Sequence, residues 1–253
     1  MDASQSEVEL IPVLHDNYVV VLHDGARAVV VDPGVAEPVI TWLERKGLEL
    51  VSVLQTHHHR DHIDGTPGLL RRWPGAAVMA SGADRARIPF QTVALQDGDQ
   101  LELLGRCVNV LAVPGHTRWH LAFYLPPLAD GKGELFCGDT LFAAGCGRLF
   151  EGSPTEMHKS LQRLGALPGD TRVWCAHEYT LDNLRWAAAN CPEPGAERQA
   201  IQERLAAVEE RRRRNQPTIP STIALERATN LMLRASDVET FASRRRSKDH
   251  WQG

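Results

Sequence analysis

The chain has 253 residues, enough for one large domain or two smaller ones. A hydrophobic fraction of 43% and a charged fraction of 24% are ordinary for a soluble globular protein, and a formal net charge of -4 offers no basic excess to draw nucleic acid or an acidic membrane surface. No apolar run approaches the ~20 residues of a transmembrane helix, and the polar, acidic N-terminus lacks the basic-then-apolar form of a secretory signal.

Five widely spaced cysteines, with no CxxC pair, read as reduced thiols, so a cytoplasmic location is expected. Residues 8–14 and 17–22 are apolar and strand-like, joined at Asp16-Asn17, and a third strand, 28–31, ends at Asp32-Pro33-Gly34. Residues 38–46 read as an amphipathic helix stopped by Gly47, and the apolar strand 50–54 follows. Residues 69–73 make a short helix and 76–80 a short strand, while 87–95 carry no strong signal. Further strands are expected at 100–104, 107–113, 121–125 and 134–137, with a loop at 126–133. A helix at 155–164 precedes a last strand at 172–175. From about residue 180 the composition turns helical, through 181–189 and 196–213, and no strand is expected there.

The strand at 50–54 opens directly into Thr56-His57-His58-His59-Arg60-Asp61-His62, four histidines and an aspartate within seven residues. On extended chain His57 and His59 share a face and His58 points the other way. Single candidates recur at later strand ends: His116 in Pro114-Gly115-His116-Thr117, Asp139 in Gly138-Asp139-Thr140, and His177 in Ala176-His177-Glu178. Together these are five imidazoles and two carboxylates, donors that suit zinc, iron or manganese. They are too many for one tetrahedral ion and suit two ions sharing a carboxylate. Ligand sites at the carboxyl ends of strands are the rule in open α/β sheets. Asp32 is a candidate to orient a ligand, or simply a turn residue.

These motifs resemble the metallo-β-lactamase superfamily, and within it the hydroxyacylglutathione hydrolases (glyoxalase II). The likeness extends to Asp16-Asn17-Tyr18, to 141–152, to Asn183-Leu184, to 215–222 and to the tail Arg245-Arg246-Ser247-Lys248-Asp249. It implies a four-layer αββα sandwich over residues 1–178 and a helical, substrate-binding domain over 179–253. It implies that His57, His59 and His116 hold one divalent ion and Asp61, His62 and His177 a second, most commonly zinc. Asp139 would bridge them, with Asp61 and Asp139 the catalytic carboxylates.

The same resemblance implies a monomer that hydrolyses a glutathione thioester such as S-D-lactoylglutathione, the second step of methylglyoxal detoxification. Arg148, Tyr179, Arg245 and Lys248 would bind the tripeptide. Arg245 and Lys248 are three apart and share a face on a helix, where they can meet one carboxylate. The run Arg211 to Arg214 reads as a solvated face. Asp64 and Phe150 depart from the family pattern, as does the absence of Pro-Phe after Asn230. The competing readings are another hydrolase or a persulfide dioxygenase on the same scaffold, or a protein that uses its arginine runs on nucleic acid.

Overall fold

The computed structural model describes residues 6–128, 131–191 and 195–252. The first five residues and part of the loop expected at 126–133 lie outside that description. The chain divides into two compact units, one of residues 1–112 with 119–138, the other of 113–118 with 139–253.

The first unit is built on a six-stranded sheet: β1 (Glu7–Val13), β2 (Asn17–His23), β3 (Arg27–Val31), β4 (Glu49–Leu54), β5 (Ala77–Ser81) and β6 (Val93–Leu95), in that order. β1 to β3 are an antiparallel meander, and β3 to β6 are parallel. The parallel part explains the unbroken Ala28-Val29-Val30-Val31, since such strands are covered on both faces. Alternate residues Val19 and Val21 of β2 and Val30 of β3 join one core with Val39 and Leu43 of α1 (Glu37–Lys46) and Leu69 of α3 (Thr66–Arg72). Gly47 ends α1 in the left-handed conformation (φ 66°), with its N–H on the carbonyls of Leu43 and Glu44. A second meander in this unit runs β7 (Gln100–Leu103), β8 (Arg106–Ala112), β9 (Leu121–Leu125) and β10 (Glu134–Gly138).

The second unit contains the short pair β11 (Leu141–Phe142) and β12 (Gly145–Cys146), the helix α4 (Pro154–Gly165) and β13 (Arg172–Cys175). α4 opens on a reciprocal capping box between Ser153 and Glu156. α5 (Thr180–Asn190), α6 (Ala196–Arg213), α7 (Ile223–Thr229) and α8 (Val238–Asp249) follow. The helical tail was expected, but it also holds β14 (Ser221–Thr222), paired with β13, where no strand was foreseen. Two residues carry too little pattern to be read as a strand. β6 was likewise hidden in the segment 87–95, which gave no signal.

Among the described residues no helix is long and apolar enough to cross a membrane. All five cysteines are free thiols; Cys107 is exposed and the other four are buried. The arginine run is ion-paired in part, Arg213 and Arg214 both to Glu210. Arg212 instead reaches Glu178, 3.6 Å away.

Candidate metal centre

β3 and β4 are parallel neighbours with Val31 opposite Leu54, so Asp32 and Thr56 emerge beside one another at their carboxyl ends. The Asp32 N–H donates to the Leu54 carbonyl at 3.0 Å, and its carboxylate turns back over the next loop. Asp32 Oδ1 accepts the Thr56 N–H at 2.7 Å, and Oδ2 accepts the Thr56 hydroxyl at 2.5 Å and faces His62 Nδ1 at 3.0 Å. With its proton on Asp32, the Thr56 oxygen accepts from His57 Nδ1, 3.0 Å away. One buried carboxylate therefore fixes two imidazoles as Nδ1–H tautomers, directly for His62 and through Thr56 for His57. Each ring then presents Nε2 as a lone pair.

After His59, which is extended (φ -63°, ψ 146°), the chain makes one helical turn, α2 (Arg60–Ile63). The sequence reading placed His57 to His59 on extended chain and foresaw no turn after them; Asp61 and His62 share this turn, with His62 Nε2 3.4 Å from Asp61 Oδ2. Asn17, at the start of β2, donates to Asp61 Oδ2 at 3.0 Å and holds that carboxylate. Gly34 makes room for the turn: a Cβ there would lie 2.0 Å from the Asp61 carbonyl oxygen. His57 Nε2 and His59 Nδ1 lie 3.1 Å apart. His58 points away, as alternation requires, with Nδ1 3.3 Å from buried Asp84 and Nε2 3.1 Å from Arg87. His120, which sequence context did not single out, stacks on His57 at 4.7 Å with 19° between the rings. Asp64 is exposed at the end of α2, so this departure adds a surface carboxylate.

The second unit brings together the other three expected ligands. Asp139 Oδ2 is 3.4 Å from His116 Nε2, and Oδ1 is 3.4 Å from His177 Nε2. The carboxylate thus turns a separate oxygen to each histidine. His116 Nδ1 lies 2.8 Å from the Arg148 carbonyl, which fixes the same tautomer as in His57. Gly147 allows the loop to pass, since a Cβ would sit 2.0 Å from the Asp139 carbonyl oxygen. Tyr179 stacks on His177 at 4.7 Å with 7° between planes, and exposed Phe150 meets His116 edge-on at 5.2 Å.

The expected substrate residues are less simple. Arg148 is mostly exposed, with Nε 3.9 Å from Asp249. Lys248 is bound to Asp182, and burial is the main cause of the lowering of its pKa from the ordinary value. Arg245 is only 5% exposed: it donates to the Cys146 carbonyl at 2.8 Å and pairs with Asp249 at 3.0 Å. It therefore supports the loop after Asp139, a role that spacing did not reveal. Asn183, Glu226 and Asn230 support the same loop, accepting from or donating to Ala143, Ala144, Phe142 and Gly145 at 2.8–3.2 Å.

Residues 11–177 match the metallo-beta-lactamase superfamily, and residues 178–251 match the C-terminal family described as hydroxyacylglutathione hydrolase C-terminus. A hydroxyacylglutathione hydrolase of Parasynechococcus marenigrum (strain WH8102) is 54% identical over 250 residues, spanning 98% of this chain and 99% of that one. This chain belongs to the hydroxyacylglutathione hydrolase family of the metallo-beta-lactamase superfamily. Another member, from Prochlorococcus marinus (strain MIT 9303), is 53% identical over 99% of this chain and 96% of its own. The crystal structure of ETHE1 from Myxococcus xanthus, at 24% identity and a TM-score of 0.68, covers 95% of this chain and 90% of its own and shares the fold. That fold is the one expected: mixed sheets flanked by helices, followed by a helical C-terminal region.

In this hydrolase family member, Asp32→Asn is expected to loosen both imidazoles it holds. Loss of such a partner typically costs about 10- to 100-fold in metal affinity or activity. Titration of the variant with zinc against a competing chelator checks this.

Proposed function

We propose that the chain hydrolyses S-(2-hydroxyacyl)glutathiones, S-D-lactoylglutathione among them, to glutathione and a 2-hydroxy acid. The reading assigns His57, His59 and His116 to one divalent ion and Asp61, His62 and His177 to a second, with Asp139 shared. Its domains are a catalytic one over 1–178 and a substrate-binding one over 179–253. The protein acts as a cytoplasmic monomer with zinc, the commonest ion for such donors; iron and manganese suit them too.

The observation that carries the reading is the pair of distances at Asp139, 3.4 Å from a different oxygen to each of two histidines. Ligands at about 2.0–2.1 Å around a tetrahedral ion are separated by about 3.3 Å. The 3.1 Å between His57 Nε2 and His59 Nδ1 and the 3.4 Å between His62 and Asp61 fit the same edge. Four imidazole and carboxylate pairs at this spacing are a donor set that a cation would offset.

When bound, a two-ion centre supplies a hydroxide nucleophile at neutral pH and polarises the thioester carbonyl. The protein's part is to hold the donors. Asp32, Thr56 and the Arg148 carbonyl keep three rings in the tautomer with Nε2 unprotonated, and Asn17 keeps Asp61 turned toward His62. The leaving thiol, with a pKa of about 8.5 by analogy with cysteine, departs as thiolate without a dedicated acid. Arg148, Tyr179, Arg245 and Lys248 bind the tripeptide, Lys248 by exchanging Asp182 for a substrate carboxylate.

The test compares S-D-lactoylglutathione with a small thioester lacking the tripeptide. Lys248→Ala and Arg148→Ala should raise KM for the glutathione thioester about 10- to 100-fold, the worth of a charged contact of 1–3 kcal/mol. The small thioester should be turned over as before. Unchanged KM in both variants would remove glutathione as the substrate. Arg211→Ala with Arg213→Ala is the control; Arg212 is left in place because it touches Glu178 beside His177.

A further inference from the structure

β1 is the edge strand of the first sheet, and its first residues alternate in a way the hydrolase reading does not use. Glu7 and Glu9 lie two apart and share a face. Glu7 is directly opposite His23, the last residue of β2, and Glu9 is its diagonal neighbour. His23 is 7% exposed, yet among the described residues neither ring nitrogen has a hydrogen-bond partner. Its Nε2 lies 4.0 Å from Glu7 Oε2, too far for a hydrogen bond. One donor atom from each of the three residues falls within 4.8 Å of the others. Trp42, 5.8 Å from the imidazole, covers one flank. Asp24 next door is already committed to Arg27 and to the Ala26 N–H, so it does not compete.

We propose that Glu7, Glu9 and His23 form a separate binding site for a divalent transition ion. A buried imidazole that lacks a hydrogen-bond partner among the described residues is costly, and an ion between it and two carboxylates removes that cost. One nitrogen and two carboxylate oxygens select zinc, cobalt or nickel over magnesium, and the exposed Glu7 leaves room for water as a further ligand. The site lies at the opposite end of β2 from Asn17, the residue that holds Asp61. Seven residues of strand span roughly 20 Å, so the two places are distinct. The role this fits is a cross-strand clip, tying the first strand of the chain to its neighbour.

The experiment uses the full chain with its ions loaded, dialysed against zinc at micromolar free concentration. Elemental analysis should find about one more zinc per chain in the wild type than in Glu7→Gln with Glu9→Gln. Both glutamates are outside the hydrolytic residues, so thioester turnover should be equal in the two proteins. A proton–nitrogen spectrum of the histidine rings should show His23 shifting with added zinc only in the wild type. His23→Gln serves as the second variant and should match the double glutamine variant in zinc content. Equal zinc content in wild type and double variant overturns the site. So does a His23 ring that stays doubly protonated and unmoved by zinc, which would make it a plain ion pair.

Discussion

Asp139→Ala is expected to lower the metal content of the purified protein and to reduce kcat on S-D-lactoylglutathione by well over about 100-fold. Loss of a residue that only orients a ligand typically costs about 10- to 100-fold, and Asp139 offers one oxygen to each of two histidines. The substitution removes both contacts at once. Far-ultraviolet circular dichroism should be unchanged, because the side chain is a donor rather than a packing element. Elemental analysis with steady-state kinetics on the same sample checks the result. Full metal content with full activity would mean that the shared-carboxylate reading is wrong.

The second large effect is on stability. Glu226, fully buried, holds Arg204 Nη2 at 2.7 Å, the Ala144 N–H at 2.8 Å and the Asn230 side chain at 2.9 Å. It also accepts from the Ser221 hydroxyl. Arg204 is itself almost entirely buried, so Glu226→Ala leaves its cation with the Thr229 and Ser221 hydroxyls but no counter-charge, and strands the Ala144 N–H without an acceptor. Breaking such a pair from one side costs about 3–5 kcal/mol. For a chain of this size the melting temperature should fall by roughly 6–20 °C. Glu226→Gln, which keeps the acceptor oxygen, should lose less. A melting temperature within a degree or two of wild type for the alanine variant would mean that the loop is held elsewhere.

Much of this was legible in the chain because the relevant signals are local. The strand before the histidines, the alternation that turns His58 aside and the stop at Gly47 each follow from a few adjacent residues. The helical turn at Arg60–Ile63 was not legible, since four residues give no period to read. Asp32 was a candidate from its place at a strand end and Asn17 lay in a family-like stretch, but these two and His120 meet their partners only after the sheet forms, 24 to 63 positions away in the chain, so the partners themselves could not be read. The family resemblance made Arg245 a substrate-binding residue, and its spacing to Lys248 put the two on one helix face. Its burial and its bond to Cys146 depend on a loop 99 residues earlier, which spacing on one helix cannot disclose.

The bonds from Asn183, Glu226, Asn230 and Arg245 to the loop at 141–146 bear on how this protein could be recombined with a relative. A chimera joined near residue 178 looks natural from the chain, because the helical segment starts there. Such a crossover would take the loop from one parent and its supports from the other. Every one of those hydrogen bonds would then depend on two lineages having kept matching partners. A crossover before Asp139 inherits the loop and its supports together, and libraries built there should yield a larger share of folded members.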